Sequence, residues 1–354
     1  MATSVDAPRS RLALWQALVL LTLLFGLALR WNLASPWLDA VGLRHEDVRH
    51  AHSHVGFYGV LTVGWWLLSE RAGRAVMGGR AVLVFMAVVV LATALFAAYG
   101  YVVPTIALST VVAGYWLVAG WRLWRGPARA PPGDWLALAP VGLALGVLLV
   151  PAIAVSARHD LGLSRELAHV FIGVLLLATF VPVALSTLAV PRFEPVAYGL
   201  AAVVGTTYLV FHERLPWPLG LFLTLTGLAL AHVLRGLPRE APPWLRLAWW
   251  GLALGLVVLG VAPPLQTEAV RLAALHYTVL GPLLLTLVHR LLPARPRAHP
   301  IAFPLALAAL AAMLAGMVGA PVIGAGAAAQ LAAWSGSLLV PALGWVVVSR
   351  GRAP

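Results

Sequence analysis

Residues 46–59 read EDVRHAHSHVGFYG and set His50, His52 and His54 at the threshold of a long apolar run. An imidazole is costly to bury in lipid. Inside a membrane it ordinarily faces a bundle interior, where it serves an ion path, a proton relay or a cofactor, or is satisfied by hydrogen bonds across helices. The rest of the chain shows that the run does enter a membrane. Of its 354 residues, 61% are hydrophobic and 10% charged, and the mean hydropathy is +0.91. Apolar stretches repeatedly exceed the length that spans a bilayer. They are continuous rather than alternating, which predicts helices and not barrel strands, because backbone polar groups in lipid must be satisfied within each segment. The expected fold class is an all-α integral membrane protein.

The chain has no cysteine, which excludes disulfides, iron–sulfur clusters and thiolate chemistry; a soft metal site would have to use His or the five Met. All 24 basic residues are arginine, set against 12 acidic ones, for a net charge of +12. This excess reads as basic ends of membrane spans rather than a nucleic-acid surface, so no nucleic-acid partner is expected. The first apolar run follows Arg9 and Arg11 without a small-residue cleavage site and reads as an uncleaved first helix.

Windows of about 20 residues predict twelve transmembrane helices, near 13–30, 51–70, 81–100, 104–124, 135–157, 167–190, 196–212, 217–235, 244–262, 270–291, 301–319 and 326–349. The connections after the second, fourth, eighth and tenth spans (SERAGRAVMGGR, RLWRGPARAPPGD, RGLPREAPPWLR and HRLLPARPRAHP) are rich in arginine. They mark the cytoplasmic side of a bacterial-type inner membrane, with both termini inside. Spans two, six and ten then begin at the outer face.

Those three entries repeat one another. Span two opens on Glu46, Val48 and Arg49 and continues to His54 and Gly59; span ten opens on Glu268, Val270 and Arg271 and continues to His276 and Gly281. The spacing E-x-V-R-x4-H-x4-G is the same in both. Span six carries a contracted form, Arg165-Glu166-Leu-Ala-His169, followed by Gly173. Recurrence every four helices predicts a single polytopic domain of three pseudo-symmetric four-helix units, 13–124, 135–235 and 244–349, each offering one histidine to a shared interior. A transporter of two six-helix halves would instead relate helix two to helix eight, whose only histidine, His232, lies at the opposite end.

Three histidines at equivalent depth point to metal ligation. Neutral imidazole suits iron, copper and zinc, and haem suits a helical interior because its apolar macrocycle fits between helices. His52 and His54 are two residues apart, about 200° of helical rotation, and so point to nearly opposite faces. His50 and His54, at i and i+4, share a face and could bind one ion together. The glycines beyond each histidine leave room either for a porphyrin edge or for a closely packed helix. Arg49, Arg165 and Arg271 either pair with haem propionates or snorkel and bond Glu46, Glu166 and Glu268. Trp65, Trp66, Trp249 and Trp250 are expected in the interfacial belt, and Phe57, Tyr58, Tyr101 and Tyr277 in the core or beside a cofactor. His45, His159 and His212 are placed outside, as a candidate peripheral metal site; His232, His289 and His299 face inward to the cytoplasmic side.

At HSHVGFYG, residues 52–59, the chain resembles the helix of the haem–copper oxidase and nitric oxide reductase superfamily that carries H-x-H followed by an aromatic–Gly pattern. In that family twelve helices form three four-helix arcs, and the haems lie toward the outer face, ligated from helices two and ten. The resemblance implies one or two b-type haems, one of them held between His54 or His52 and His276. A second metal, haem or copper, would lie near His169 and the other helix-two histidine, with Arg49 and Arg271 toward the cofactor. It also implies electron transfer or handling of NO or O2, with a quinol or cytochrome as electron donor. The copper site of the oxygen-reducing members is incomplete here. Helix six has Gly173 where they have Tyr, helix seven offers only His212, and the third copper ligand has no source. The H-x-H pair also stands on helix two, where the family usually has a single histidine. The chain is similar too to the NnrS-type haem and copper membrane proteins, although their Met-containing helix-two pattern is missing. Two other classes use the same residues differently: a proton- or metal-ion-coupled transporter, and a non-catalytic subunit or assembly factor of a respiratory complex.

Overall fold

The computed structural model describes residues 9–351 apart from 127, 131–132, 189, 191–193, 263–264 and 293–298. Among the described residues the chain is helical, with no strand. Helices cover each of the twelve expected positions: α1 (Arg9–Ala34), α2 (45–71), α3 (Gly79–Tyr99), α4 (Val103–Trp124), α5 (Ala139–Arg158), α6 (Ser164–Thr187), α7 (Pro195–Phe211), α8 (Leu221–Leu234), α9 (Pro243–Val261), α10 (Glu268–Leu291), α11 (His299–Val318) and α12 (Ala325–Gly351). Among the described residues ten of these stretches, with the fifth taken as Trp135–Ile153 and the eighth as Trp217–Leu234, are long and apolar enough to cross a membrane, which makes the chain a multi-pass helical membrane protein. The two outside that ten are α2 and α7, whose apolar part, Val196–Phe211, is shorter. Much of the arginine-rich connection after α10 lies outside the described residues.

The helices that open with the repeated histidine motif share a second feature. In α2, α6 and α10 the α-helical hydrogen bonding gives way to a π-helical segment, at Val55–Thr62, Leu176–Phe180 and Val279–Leu283 respectively. π-Helix accounts for well under 1% of residues in globular proteins and concentrates at functional sites. In α6 and α10 a proline explains it: Pro182 follows the segment and Pro282 lies within it, and each removes an N–H donor and crowds the preceding turn. α2 has no proline; there, side chains take up the carbonyls. Trp15 Nε1 donates to the Val60 carbonyl at 2.9 Å and Thr62 Oγ1 donates to the Phe57 carbonyl at 2.8 Å.

Burial follows the same division. The N-terminal turns of α2, α6 and α10 are partly exposed, whereas residues 55–69, 174–185 and 281–288 are buried without interruption. A helix that is apolar all round is buried all round. This corrects the interfacial placement of three tryptophans: Trp65, Trp66 and Trp249 are at most 1% exposed, and only Trp250 keeps an exposed ring.

Two compact units are present, residues 1–115 with 284–354, and residues 116–283. In the first, α1 packs on α12 and on α2, α2 on α3, and α11 on α12. The link from α3 to α4 turns at Gly100, whose φ of +64° favours glycine and whose Cβ position is occupied by the Asp47 carboxylate. In the second unit α5 packs on α6, α6 on α7, α7 on α8 and α8 on α9.

Candidate functional site

In the first unit the histidines of α2 diverge as helical geometry requires. His54 Nδ1 lies 2.7 Å from the His50 carbonyl oxygen, one turn back. A carbonyl only accepts, so Nδ1 carries the proton and Nε2 keeps the lone pair. The ring stacks on Phe96 of α3, with centroids 4.0 Å apart, and meets Tyr58 edge-on at 5.0 Å. His50 packs edge-on to Tyr101 at 4.6 Å, and His54 reaches the same ring at 6.3 Å, as expected of residues sharing a face. His52 turns the other way. Its Nδ1 lies 3.0 Å from the Thr22 carbonyl of α1, and its ring lies over Gly26, where a Cβ would come within 3.1 Å of Cε1.

At the rim of this unit Asn32 organises the approach to α2. Its Oδ1 accepts from the backbone N–H groups of Trp37 and Leu38, each at 2.9 Å, so its amide nitrogen donates to His45 Nδ1 at 3.1 Å. His45 is therefore neutral in this arrangement. Its pKa is lowered from the ordinary imidazole value, first by burial and then by the Arg49 charge.

The second unit holds His169, His212 and His276. His276 Nδ1 lies 2.8 Å from the Leu272 carbonyl, the same bond one turn back that His54 makes. Arg271 Nη1 donates to the Leu209 carbonyl at 3.2 Å and to His212 Nδ1 at 3.4 Å. Arg165 of α6 forms an ion pair with Glu268 of α10, so the repeated Arg and Glu positions bond across helices. Arg49 is exposed. His169 is half-buried on α6.

Two of the glycines beyond the histidines, Gly59 and Gly173, sit in close packing. A Cβ on Gly59 would come within 3.2 Å of Leu18, and one on Gly173 would overlap the Thr206 side chain. Tyr277 is half-buried, its hydroxyl donating to the Ala248 carbonyl at 3.0 Å. Three contacts of the α2 histidines escaped sequence reading: Phe96, Thr22 and Gly26. Each comes from another helix and carries no local signal of its role.

The donor chemistry of three histidines is compatible with metal ligation. A metal-ligating imidazole is commonly oriented by a hydrogen bond at its other ring nitrogen, and His54, His52 and His276 each have such a bond at Nδ1. A copper ion of the oxidase kind requires several converging donors. Among the described residues no group of three or more His, Cys, Asp or Glu side chains is placed to hold a metal ion. No protein-family model, curated protein or solved structure matches the chain.

Proposed function

We propose that the chain is a haem-binding redox protein of the inner membrane, a divergent relative of the haem–copper oxidase and nitric oxide reductase superfamily, with twelve crossings in three four-helix units and both termini cytoplasmic. His54 in the first unit and His276 in the second would each offer an imidazole to haem iron, with His52 the alternative to His54. The observation that carries this reading is the shared bond of His54 and His276 to the carbonyl one turn back, on two helices that open with the same motif and continue into π-helix. Bound haem supplies a one-electron couple and, where an axial position is open, a site for NO or O2. The protein's own part is positional. The His50 and Leu272 carbonyls fix the tautomer and ring direction and raise the basicity of Nε2, while Phe96 and Tyr58 keep water from the His54 ring. Electrons come from a quinol or a cytochrome. Copper near His169 or His212 is assigned no role in this reading.

The test is optical. The protein is purified in mild detergent after expression with haem supplied, and oxidised, dithionite-reduced and CO-treated spectra are recorded with a pyridine haemochrome assay. A sharp reduced α-band, lost in His54→Ala or His276→Ala, is the expected result, and a CO shift identifies an open axial position. A colourless, well-folded wild-type preparation overturns the reading. One observation then favours ion-coupled transport: Glu166 Oε2 and Arg271 Nε are buried without a hydrogen-bond partner, and intramembrane polar groups of that kind line ion paths.

A further inference from the structure

We propose that the C-terminal end of α4 binds the headgroup of an anionic phospholipid. Trp121 and Trp124 are 57% and 59% exposed there and meet edge-on, with centroids 6.1 Å apart. The Arg125 guanidinium lies over both rings, 4.9 Å from the Trp124 centroid and 5.8 Å from that of Trp121, which holds a flexible cation at the level of the indoles. The chain then doubles back. Gly126 N–H bonds the Arg122 carbonyl at 3.1 Å and Ala130 N–H bonds the Leu123 carbonyl at 3.4 Å, so exposed Arg129 returns beside the helix end. No Asp or Glu occurs in the sequence between Glu70 and Asp134, and Asp134 is occupied in capping the Leu136 N–H at 3.0 Å.

Arg122, Arg125 and Arg129 thus form a cationic group without a neighbouring acid in the sequence, set below an apolar wall of exposed Leu117, Val118 and Trp121. A phosphodiester with acyl chains satisfies both parts: its oxygens take the guanidinium donors and its chains lie along the wall. A free phosphate would satisfy only the first. If the arginines served only to complement the negative end of the helix dipole, no lipid preference would follow.

The full-length protein in nanodiscs of mixed phosphatidylglycerol and phosphatidylcholine is cross-linked with a headgroup-proximal photoactivatable analogue of one lipid or the other, and the labelled peptides are mapped. The phosphatidylglycerol probe should label residues 117–129 over the phosphatidylcholine probe by roughly fivefold per arginine engaged. Arg125→Gln should cut that excess by a similar factor, and rising salt should erode it in the wild type. Equal labelling by the two probes overturns the proposal, as does an excess unchanged in Arg125→Gln or displaced by inorganic phosphate. Should Arg125→Gln not fold, the wild-type salt titration decides, and an excess insensitive to salt overturns it.

Discussion

Arg11 and Glu70 form a bidentate ion pair, Nη1 to Oε2 at 2.6 Å and Nη2 to Oε1 at 2.8 Å, that ties the start of α1 to the end of α2. The Arg11 side chain is 6% exposed and that of Glu70 17%. Removing one partner strands the other's charge in a dry place. Arg11→Met and Glu70→Gln should each lower stability by about 3–5 kcal/mol, whereas the double replacement by apolar residues should recover most of that loss. Thermal unfolding of the single and double variants in one detergent measures the difference, and additive losses would refute the pairing.

The π-helical segment of α2 depends on a donor from α1. Trp15 is fully buried and its indole N–H satisfies the Val60 carbonyl. Trp15→Phe keeps an aromatic ring but leaves that carbonyl with the Val63 N–H alone, at an expected cost of about 0.5–1.5 kcal/mol. Hydrogen exchange should report faster opening centred on residues 55–62, and unchanged protection there would count against the assignment.

Gly173 and Thr206 meet where α6 packs on α7. A methyl at Gly173 overlaps the Thr206 side chain, so Gly173→Ala should destabilise by about 1–3 kcal/mol through overpacking. Thr206→Ala makes the room. The double variant should therefore be more stable than Gly173→Ala alone, a result readable from melting temperatures, and a porphyrin-edge role for this glycine predicts no such rescue.

His45 accepts a hydrogen bond from Asn32 only while neutral. Its folded pKa lies below the ordinary 6.5, so its contribution to stability is complete above that value and declines as pH falls toward the lowered folded pKa. Protonation of Nδ1 also breaks the bond that anchors the Asn32 amide, whose Oδ1 accepts from the Trp37 and Leu38 N–H groups. Melting temperature followed from pH 7 downward should fall more for the wild type than for His45→Phe, and parallel curves would remove His45 as the cause.

Much of the candidate site was legible because it is local. The repeat E-x-V-R-x4-H-x4-G lies in contiguous residues, and the opposite facing of His52 and His54 follows from 100° of rotation per residue. The backbone bonds of His54 and His276 are also local, each ring reaching the carbonyl one turn back. By contrast, Phe96 against His54, Thr22 against His52 and Glu268 against Arg165 each join residues dozens of positions apart. No periodicity within one helix announces them.

Hydropathy alone determined that this chain is a multi-pass helical membrane protein, because in lipid every backbone polar group must be satisfied within its own segment and long apolar runs have no other solution. Which helices are central is a different kind of question. Trp65 and Trp66 look like interfacial anchors from their position in the chain, and only packing shows that α2 is enclosed from Val55 to Ser69. The π-helical segments belong to the same class: Pro182 and Pro282 advertise two of them, but the one beside His54 is supported in part by Trp15, 45 residues from the Val60 carbonyl it serves. Local sequence sets which residues share a helix face; the partner that face meets is chosen by burial and by hydrogen-bond supply from elsewhere in the chain, and that only the tertiary structure decides.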